Sequence, residues 1–474
     1  MVAETWTAVR DYTRETMAQR AIPAVALAVA DAGREVFAES FGVREVGAVG
    51  EITPDTIFGV ASVTKGITAL AIMQLAEAGR LSVDDPVVRY LPAYRTPDAA
   101  GARATTLHHF LTHTAGLPPL ASRFFALARA TADDPFAALR PAWIADHPPL
   151  DNADDLLAYI AELDFVPLGA PGDYFSYCNE GFALLGAIIE RVSGRSYTDY
   201  VQANILDLLG MTRSTFDRRP LTGRADVAAL HIVREVAGER IVLAAPQPSY
   251  VPLWYPAGGL NTTARELLRY LEIYRTGGLS GGARLLSAAG IARMVMPHTA
   301  GGGPGASYGY GLAVRQDYRG VKLIQHGGGS KGIAAHVLVA PERGYTAAAL
   351  TNLAEMPADR LALAPLNQSL GLPLDTPFVG YGTATYAPER LARYAGSYRG
   401  GEGTLLVAAV QDGQLVVRFG GQELVARPVG DDGVVLTLPS GESYARFLLA
   451  ERGVAWGVAV GGRILPRHEE MAGV

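Results

Sequence analysis

Residues 61–78 read ASVTKGITALAIMQLAEA, and this stretch decides how the chain folds. From Lys65 to Ala78 almost every residue is apolar or small, with Gln74 and Glu77 as the main exceptions. A helix that is apolar on every side belongs inside a large domain, because it leaves no face for water. The stretch therefore predicts a buried helix with a serine and a lysine at its beginning.

Ser62 and Lys65 lie three residues apart, so both side chains project from one helical face with Cβ atoms about 5–6 Å apart. Desolvation lowers the pKa of a buried lysine, which can then accept the serine proton and activate the hydroxyl as a nucleophile. The alternative is that Ser62 only caps the helix while Lys65 extends its ammonium to solvent. The chain has three lysines, Lys65, Lys322 and Lys331, and an unpaired charge in an apolar stretch is costly, which favours the catalytic interpretation.

The composition limits which classes of protein the chain can belong to. The 474 residues carry 41 basic and 47 acidic side chains, and 49% are hydrophobic, which is typical of a folded globular chain with two to four domain-sized units. The net charge of −6 offers no basic surface for nucleic acid. The single cysteine, Cys178, excludes an internal disulfide framework and a cysteine-based zinc site.

Hydropathy predicts neither a membrane span nor a signal peptide. The longest apolar run, Ala21–Ala30, is interrupted by Pro23 and is half the length that a span needs. The first residues carry charges where the apolar region of a signal peptide would lie, at Glu4, Arg10, Asp11 and Arg14. We therefore expect a cytoplasmic protein without a membrane partner; the sequence leaves a homo-oligomer open.

Periodicity predicts an α+β fold. The first twenty residues have helical spacing, and 24–30 and 35–42 form a predicted hairpin. Helical patterns alternate with Pro/Gly loops between residues 80 and 300, as at 154–163, 181–192 and 264–274. Residues 118–150 have a more variable pattern and are a candidate lid or cavity wall. Four antiparallel strands are predicted at 312–316, 321–325, 333–340 and 346–351.

The segment beyond residue 371 has a different pattern. Residues 371–387 are rich in Pro, Gly and Thr and read as a linker. Short strands joined by turns such as Asp412-Gly413 and Gly420-Gly421 follow between residues 404 and 460. Evenly spaced strands with tight turns predict a small antiparallel barrel or sandwich.

Two further segments carry side chains suited to acyl transfer. Tyr177 and Asn179 lie in a loop before an apolar helix; a phenol can relay a proton, and an amide can hold a carbonyl. His326-Gly327-Gly328-Gly329 follows a predicted strand, and successive glycines let a substrate backbone approach closely while an N–H faces an oxyanion. Alone, the first segment is also compatible with a half-buried loop tyrosine, and the second with a glycine bulge or turn.

The order Ser-x-x-Lys, Tyr-x-Asn, His-x-Gly resembles the serine hydrolase superfamily of class C β-lactamases, DD-carboxypeptidases and related penicillin-binding proteins. The resemblance spans about residues 5–355 and includes LTHTAGLP at 111–118 and PAGGL at 256–260. It implies an antiparallel sheet flanked by helices and a mainly helical lobe, with the active site between them.

The resemblance also implies a role for each motif residue. Ser62 is the nucleophile that becomes acylated, and Lys65 accepts its proton. Tyr177 relays a proton to the leaving group and activates water, and Asn179 positions the acyl group. The N–H groups of Ser62 and Gly329 form the oxyanion hole. His326 tunes Tyr177 and meets a substrate carboxylate.

The third motif departs from the lysine and hydroxyl residue of Lys-Thr-Gly, which His326 and Gly327 replace. This version is more similar to D-aminopeptidases, carboxypeptidases and esterases than to efficient β-lactamases. The segment after the linker resembles the lipocalin-like domains appended to D-peptidases and to thioesterases that cyclise nonribosomal peptides. The expected domains are therefore a hydrolase domain (1–370), a linker (371–387) and a lipocalin-like barrel (388–474).

Competing patterns are weaker. Gly-x-Ser-x-Gly occurs at Ser280, Ser307 and Ser330, but none has the strand before and helix after that a nucleophile elbow needs. Residues 327–332 fit Gly-x-Gly-x-x-Gly, yet a strand follows where a dinucleotide site needs a helix.

The histidines and the cysteine offer no alternative site. A zinc site of the His-Glu-x-x-His type needs a glutamate, which the segment with His108, His109 and His113 lacks. No basic residue lies near Cys178 in sequence to activate its thiol. We expect neither a metal nor another cofactor.

These observations predict an acyl-serine enzyme that hydrolyses amide or ester bonds in small or D-residue-containing peptides. The first alternative is a thioesterase or acyltransferase that delivers the acyl group to an amine, as in the cyclisation of nonribosomal peptides. The second is a non-catalytic peptide-binding protein that retains the cavity.

Overall fold

The computed structural model describes residues 2–48, 50–130, 144, 146–221, 223–236, 239–245, 251–438, 441–451 and 453–468. Much of the predicted lid or wall, residues 131–143 and 145, therefore lies outside the described residues. The part of it that is described includes a helix, residues 122–130, that borders the cavity discussed below.

Thirteen α-helices lie within the described ranges: α1 (Val2–Arg20), α2 (Thr64–Glu77), α3 (Ala99–Ala104), α4 (Leu107–Leu111), α5 (Ser122–Ala130), α6 (Ala153–Glu162), α7 (Asn179–Ser193), α8 (Tyr197–Val201), α9 (Tyr255–Gly258), α10 (Ala264–Thr276), α11 (Ala288–Met294), α12 (Ala358–Ser369) and α13 (Pro388–Ala392). The predicted helices at 154–163, 181–192 and 264–274 correspond to α6, α7 and α10. Thr263 caps α10, since its hydroxyl accepts the N–H of Glu266.

The strands of the described residues are β1 (Ala24–Asp31), β2 (Arg34–Gly42), β3 (Phe58–Gly59), β4 (Leu230–Val236), β5 (Glu239–Ala245), β6 (Asn261–Thr262), β7 (Leu279–Ser280), β8 (Ala283–Arg284), β9 (Thr299–Ala300), β10 (Ser307–Tyr308), β11 (Ala313–Tyr318), β12 (Val321–Ser330), β13 (Ile333–Ala340), β14 (Tyr345–Thr351), β15 (Gly396–Arg399), β16 (Leu405–Gln411), β17 (Gln414–Phe419), β18 (Gln422–Val425), β19 (Arg427–Val429), β20 (Gly433–Leu438), β21 (Gly441–Leu449), β22 (Ala455–Val460) and β23 (Arg463–His468).

Eight of these strands form the main antiparallel sheet, in the order β2-β1-β14-β13-β12-β11-β10-β9. The central strands β1, β13 and β14 are almost completely buried, because helices cover both faces of the sheet. Helices α1 and α12 pack on one face through Val9 and Leu361, while α2 and the helical lobe pack on the other. The structure thus confirms the predicted fold class, an antiparallel sheet flanked by helices with a mainly helical lobe.

Helix α2 is the buried helix that the sequence predicts. Eleven of its 14 residues are buried, and Lys65 is 0% exposed. A short 3-10 turn, residues 61–63, precedes the helix and carries Ser62. Ser62 is not the cap residue, so the structure does not support the capping alternative.

Strand β12 is longer than the sequence pattern indicated. The expected strand ended at residue 325, but pairing with β13 continues through the glycines as far as Ser330 opposite Ile333. Gly328 explains why glycine is needed here: a Cβ at this position would lie 2.0 Å from the carbonyl oxygen of Val60. The glycines therefore let the strand lie directly against the turn that carries Ser62.

The last nine strands form a second antiparallel sheet, in the order β18-β17-β16-β15-β23-β22-β21-β20-β19. Its end strands β18 and β19 are separated by Ala426 alone, so the sheet is a nearly closed barrel around Tyr398, Phe447 and Val458. Residues 422–429, within the segment predicted to form short strands, divide between these two end strands. The sequence pattern missed β15 and β23.

Residues 370–387 contain no helix or strand and join the two sheets. The proposed domain boundaries and the lipocalin-like character of the barrel stay predictions. Among the described residues, no helix combines the length and apolar character needed to cross a membrane.

Candidate active site

Ser62 lies where the edge of β12 meets the beginning of α2. Ala61, the residue before it, is buried and has a φ of +43°, a left-handed conformation that costs a non-glycine residue about 1–3 kcal/mol. Leu230 and Ile333 pack against Ala61 and hold this conformation. Such local strain, retained by surrounding packing, is typical of functional turns.

The ammonium nitrogen of Lys65 connects the first two motifs. Nζ lies 3.1 Å from Ser62 Oγ, 2.9 Å from Asn179 Oδ1 and 2.6 Å from the carbonyl oxygen of Ala257. Asn179 and Ala257 present oxygens that only accept, so each takes one N–H of the amine. In a neutral amine the remaining lone pair is then directed at the hydroxyl of Ser62.

Burial lowers the pKa of Lys65 well below its usual range, and the positive charges of Arg123 and Arg463 lower it further. The carboxylate of Glu180 acts in the opposite direction. A buried amine near two guanidinium groups is more easily deprotonated, which is what a general base for Ser62 requires.

Tyr177 lies on the other side of the same amine. The Lys65 nitrogen is 4.8 Å from the centre of the Tyr177 ring. The phenol oxygen is buried and, among the described residues, forms no hydrogen bond. Burial raises the pKa of Tyr177, while the nearby Ser62 hydroxyl and the guanidinium of Arg463 lower it. The buried phenol is therefore held beside the Ser62 hydroxyl, where it can exchange a proton with the reacting groups.

His326 belongs to a chain of hydrogen bonds that the sequence did not indicate. Its Nδ1 lies 2.6 Å from the carbonyl oxygen of Gly327, so Nδ1 carries the proton and Nε2 accepts the hydroxyl of Tyr308 at 2.8 Å. Tyr308 in turn accepts from Nε2 of His113 at 3.2 Å, and Nδ1 of His113 accepts the N–H of Cys178 at 3.0 Å. Burial, together with the charge of Lys65, lowers the pKa of His326 to about 3.

This chain leaves His326 neutral, with both ring nitrogens engaged. Its ring centre is 6.2 Å from that of Tyr177, so the two are neighbours without a direct hydrogen bond. The roles expected for His326, tuning Tyr177 and meeting a carboxylate, stay predictions.

The glycines of β12 provide the open edge of the site. Strand β11 pairs with β12 only as far as Gln325, so beyond that residue the described structure places no strand on this edge of β12. Gly327, Gly329 and Ser62 all line the cavity there, and a Cβ at Gly329 would meet no atom within 4 Å. The arrangement is compatible with an oxyanion hole of the Ser62 and Gly329 N–H groups, which stays a prediction.

Glu180, beside Asn179, is a buried carboxylate that the sequence did not single out. It accepts hydrogen bonds from the Ser122 hydroxyl and, at 3.2 Å, from the thiol of Cys178. Burial and this carboxylate raise the pKa of Cys178 well above its usual range. The thiol is therefore a buried packing group and a poor nucleophile, as predicted.

The cavity in front of Ser62 has a volume of about 910 Å³, and the barrel supplies part of its wall. The turn between β22 and β23 packs on the Tyr177 loop: Tyr177 N–H donates to Gly462 O at 2.8 Å, and Ile464 N–H donates to Ser176 Oγ at 3.2 Å. The turn brings Arg463 to 5.5 Å from the Tyr177 ring centre.

Two arginines and a carboxylate therefore border the site near Tyr177. Arg463 pairs with Glu402 of the barrel at 3.0 Å, and Arg123 of α5 donates to Ser330 Oγ at 2.9 Å. Neither arginine lies within a motif of the sequence, and Arg463 is about 400 residues from Ser62. The only feature of the sequence that could have drawn attention to Arg463 is its position directly after two glycines.

The competing patterns have ordinary structural positions. Ser280 donates to a backbone carbonyl, Ser307 lies in a two-residue strand, and Ser330 accepts from Arg123. His113 follows the end of α4 with a φ of +59°, and its ring contacts Tyr308 and the Cys178 N–H. No group of three or more His, Cys, Asp or Glu suited to a metal ion occurs in the described part of the chain.

Comparisons with known proteins find relatives that cover most of the chain. The family model described as Beta-lactamase matches residues 9–372. Penicillin-binding protein 4 of Amycolatopsis lactamdurans is 30% identical over 345 residues, covering 70% of this chain and 81% of that protein. Esterase EstB of Burkholderia gladioli is 31% identical over 334 residues, covering 65% and 80%. The octameric penicillin-binding protein homologue from Pyrococcus abyssi is 28% identical, has a TM-score of 0.67 and covers 97% of this chain and 98% of its own.

Proposed function

Because this chain belongs to the β-lactamase family of serine hydrolases, we propose that it cleaves amide or ester bonds of small or D-residue-containing peptides through an acyl-enzyme on Ser62. One observation carries the proposal: the buried nitrogen of Lys65 lies 3.1 Å from Ser62 Oγ, and two fixed acceptors occupy its other hydrogen-bonding directions. Such an amine is held as an acceptor for the serine proton.

The proposed reaction has two halves. In the first, Ser62 Oγ attacks the substrate carbonyl and its proton passes to Lys65 Nζ; the carbon–leaving-group bond then breaks, and the leaving atom takes a proton through Tyr177. In the second, water loses a proton to the same pair, attacks the ester carbonyl, and Ser62 leaves as a hydroxyl. The N–H groups of Ser62 and Gly329 would stabilise the oxyanion in both halves.

The chemistry around His326 favours peptides and esters over β-lactams. In the resembling β-lactamases a lysine and a hydroxyl residue meet the β-lactam carboxylate. Here His326 is neutral with both nitrogens engaged, and Gly327 offers no hydroxyl. The name of one relative, esterase EstB, is consistent with ester substrates.

Acyl transfer to an amine is the second candidate, and the position of the barrel favours it. The turn of Gly461 and Gly462 and the guanidinium of Arg463 lie next to Tyr177, where the second nucleophile would enter. A wall at this point can determine whether water or an amine reaches the acyl-enzyme. Cyclisation of a nonribosomal peptide is one reaction of this type.

Intact-protein mass spectrometry tests the proposal. The protein is incubated with a fluorophosphonate and with D- and L-aminoacyl esters, beside the Ser62→Ala variant. We expect an adduct on the unaltered protein and none on Ser62→Ala. The absence of any adduct would favour the non-catalytic binding protein.

The fate of the acyl group separates the two enzymatic candidates. Release that is faster with a peptide amine than with water would identify an acyltransferase, whereas release at the same rate identifies a hydrolase. Rapid turnover of a chromogenic cephalosporin would contradict the substrate assignment.

A further inference from the structure

Arg218 and Arg463 both line the cavity in front of Ser62. An added Cβ at Gly59 would lie 3.3 Å from Arg218 Nη1 and 2.5 Å from Ile333 Cδ1, which places the guanidinium against both residues. Tyr255 lies close enough to Arg218 to interact with its charge, and Phe216 and Val251 also line the cavity. Arg218 is thus a half-buried cation in an apolar wall.

The charge of Arg218 is not balanced by a neighbour. Its sequence neighbour Arg219 pairs with Asp217 at 2.6 Å, and Arg463 pairs with Glu402 at 3.0 Å. Within the described ranges, the Arg218 guanidinium has no hydrogen bond and no ion pair. Burial lowers its pKa to about 10, so it is still charged at neutral pH. A desolvated cation without a counterion is costly unless a ligand supplies the anion.

The position of Arg218 relative to β12 indicates which part of a substrate it meets. His326, next to Tyr177, and Ser330 are four residues apart on β12, which is about 13 Å at a rise of roughly 3.3 Å per residue. Ile333 pairs with Ser330, so Arg218 lies at the Ser330 end of β12, where Arg123 also donates to Ser330 Oγ at 2.9 Å. If Tyr177 protonates the leaving group, as in the proposed function, the acyl group extends toward Arg218.

We infer that Arg218 forms an anion subsite for the acyl part of the substrate, which carries a carboxylate at the end of a short apolar stem. A guanidinium forms two parallel hydrogen bonds to a carboxylate, and the aromatic wall covers the stem. The inference rests on the proposed function for its direction, although anion binding by Arg218 can be tested without catalysis.

A pair of esters tests the subsite, because 4-nitrophenyl valerate and mono-4-nitrophenyl glutarate have acyl chains of equal length and differ in the terminal carboxylate. The readout is the ratio of their kcat/KM values. We expect the glutarate to be preferred, and Arg218→Met to lower the ratio about 30-fold, as the loss of a charge-assisted hydrogen bond does. Arg218→Glu should lower it further. Arg293→Met, on the surface beside Asp84, is the control that should leave the ratio within twofold.

Direct binding keeps the test independent of turnover. Glutarate is titrated by calorimetry into Ser62→Ala and into the double variants that add Arg218→Met or Arg463→Met. Loss of binding with Arg218→Met alone supports the subsite even if no acyl-enzyme forms. An unchanged ester ratio in Arg218→Met, or glutarate binding that depends on Arg463 and not on Arg218, would overturn it.

Discussion

The hydroxyl of Tyr308 lies 2.8 Å from Nε2 of His326, and the direction of this hydrogen bond determines what the histidine can offer. Nδ1 donates to the carbonyl of Gly327, and burial lowers the pKa of His326 to about 3, so at neutral pH the ring is uncharged and Nε2 is the acceptor. Where the resembling β-lactamases have a lysine, this protein has an uncharged ring that is held by its neighbours. The cations near Tyr177 are the arginines Arg123 and Arg463.

The first prediction concerns the acid stability of the fold. The pKa of His326 is lowered to about 3 in the folded protein, against about 6.5 when unfolded. Between these values the unfolded chain binds a proton that the folded chain does not, so the free energy of unfolding falls as the pH is lowered from about 6.5 to 3. His326→Gln should reduce this dependence by up to one proton, or about 1.4 kcal/mol per pH unit.

Urea unfolding at pH 7, 6, 5 and 4 measures the effect. The half-buried His108 and the buried His113 and His336, whose pKa values are also lowered, add their own dependence in both proteins. The difference between the two curves is therefore the readout. Parallel curves, or an NMR titration of His326 near pH 6.5, would contradict the neutral ring.

The second prediction concerns the general base. Asn179 Oδ1 accepts from Lys65 Nζ at 2.9 Å, and a carboxylate in its place would stabilise the ammonium. Asn179→Asp should therefore raise the pKa of Lys65 and move the acidic limb of the pH–rate profile of Ser62 acylation to higher pH. We expect about a tenfold or greater loss of rate at pH 7.

Asn204→Asp is the matched control for this variant. Asn204 lies outside the cavity and donates to the Tyr200 carbonyl, so the same change of charge there should leave the profile in place. An unshifted limb in Asn179→Asp would mean that Lys65 is not the group whose deprotonation activates Ser62.

Local signals were enough to predict that the side chains of Ser62 and Lys65 lie together. The apolar stretch around Lys65 specified a buried helix, and the spacing of Ser62 and Lys65 brought hydroxyl and amine together. The strands of the main sheet followed from their apolar runs. The last residues of β12 could not be predicted in this way, because a run of glycines has no alternation of apolar and polar side chains. Their extended conformation depends on close contact with Val60.

The rest of the site depends on contacts between distant segments. Strand β23 has a proline and polar residues that hid it, so nothing in the sequence connected Arg463 to Tyr177. His113 reaches the site through a left-handed residue after α4, and Tyr308 comes from a two-residue strand in a glycine-rich stretch. Each is positioned by tertiary packing that a local pattern does not contain.

The third prediction tests the electrostatic effect of the barrel on the base. Arg463 lowers the pKa of Lys65, and Glu402 partly neutralises Arg463. Arg463→Met should therefore move the acidic limb of the acylation profile to higher pH and slow the reaction several-fold at pH 7. Glu402→Gln should move the same limb to lower pH.

The two variants control each other, because both disrupt the same ion pair. If loss of the barrel contact alone affected catalysis, both would change the rate in one direction without opposite shifts of the limb. The measurement is the pH dependence of fluorophosphonate labelling.

The fourth prediction separates the two neighbouring glycines of β12. Gly328→Ala places a Cβ 2.0 Å from the Val60 carbonyl oxygen and 3.3 Å from the Ser62 nitrogen, so strand and nucleophile turn must separate. We expect acylation to fall at least about 100-fold, as displacement of a reacting group does, and the free energy of unfolding to fall by about 1–3 kcal/mol. Gly329→Ala meets no atom within 4 Å and should fold with a stability within about 0.5 kcal/mol of the unaltered protein. Thermal unfolding and the rate of fluorophosphonate labelling are measured for both variants. Equal losses of stability and labelling rate in Gly328→Ala and Gly329→Ala would show that the glycines do not serve to bring β12 close to Ser62.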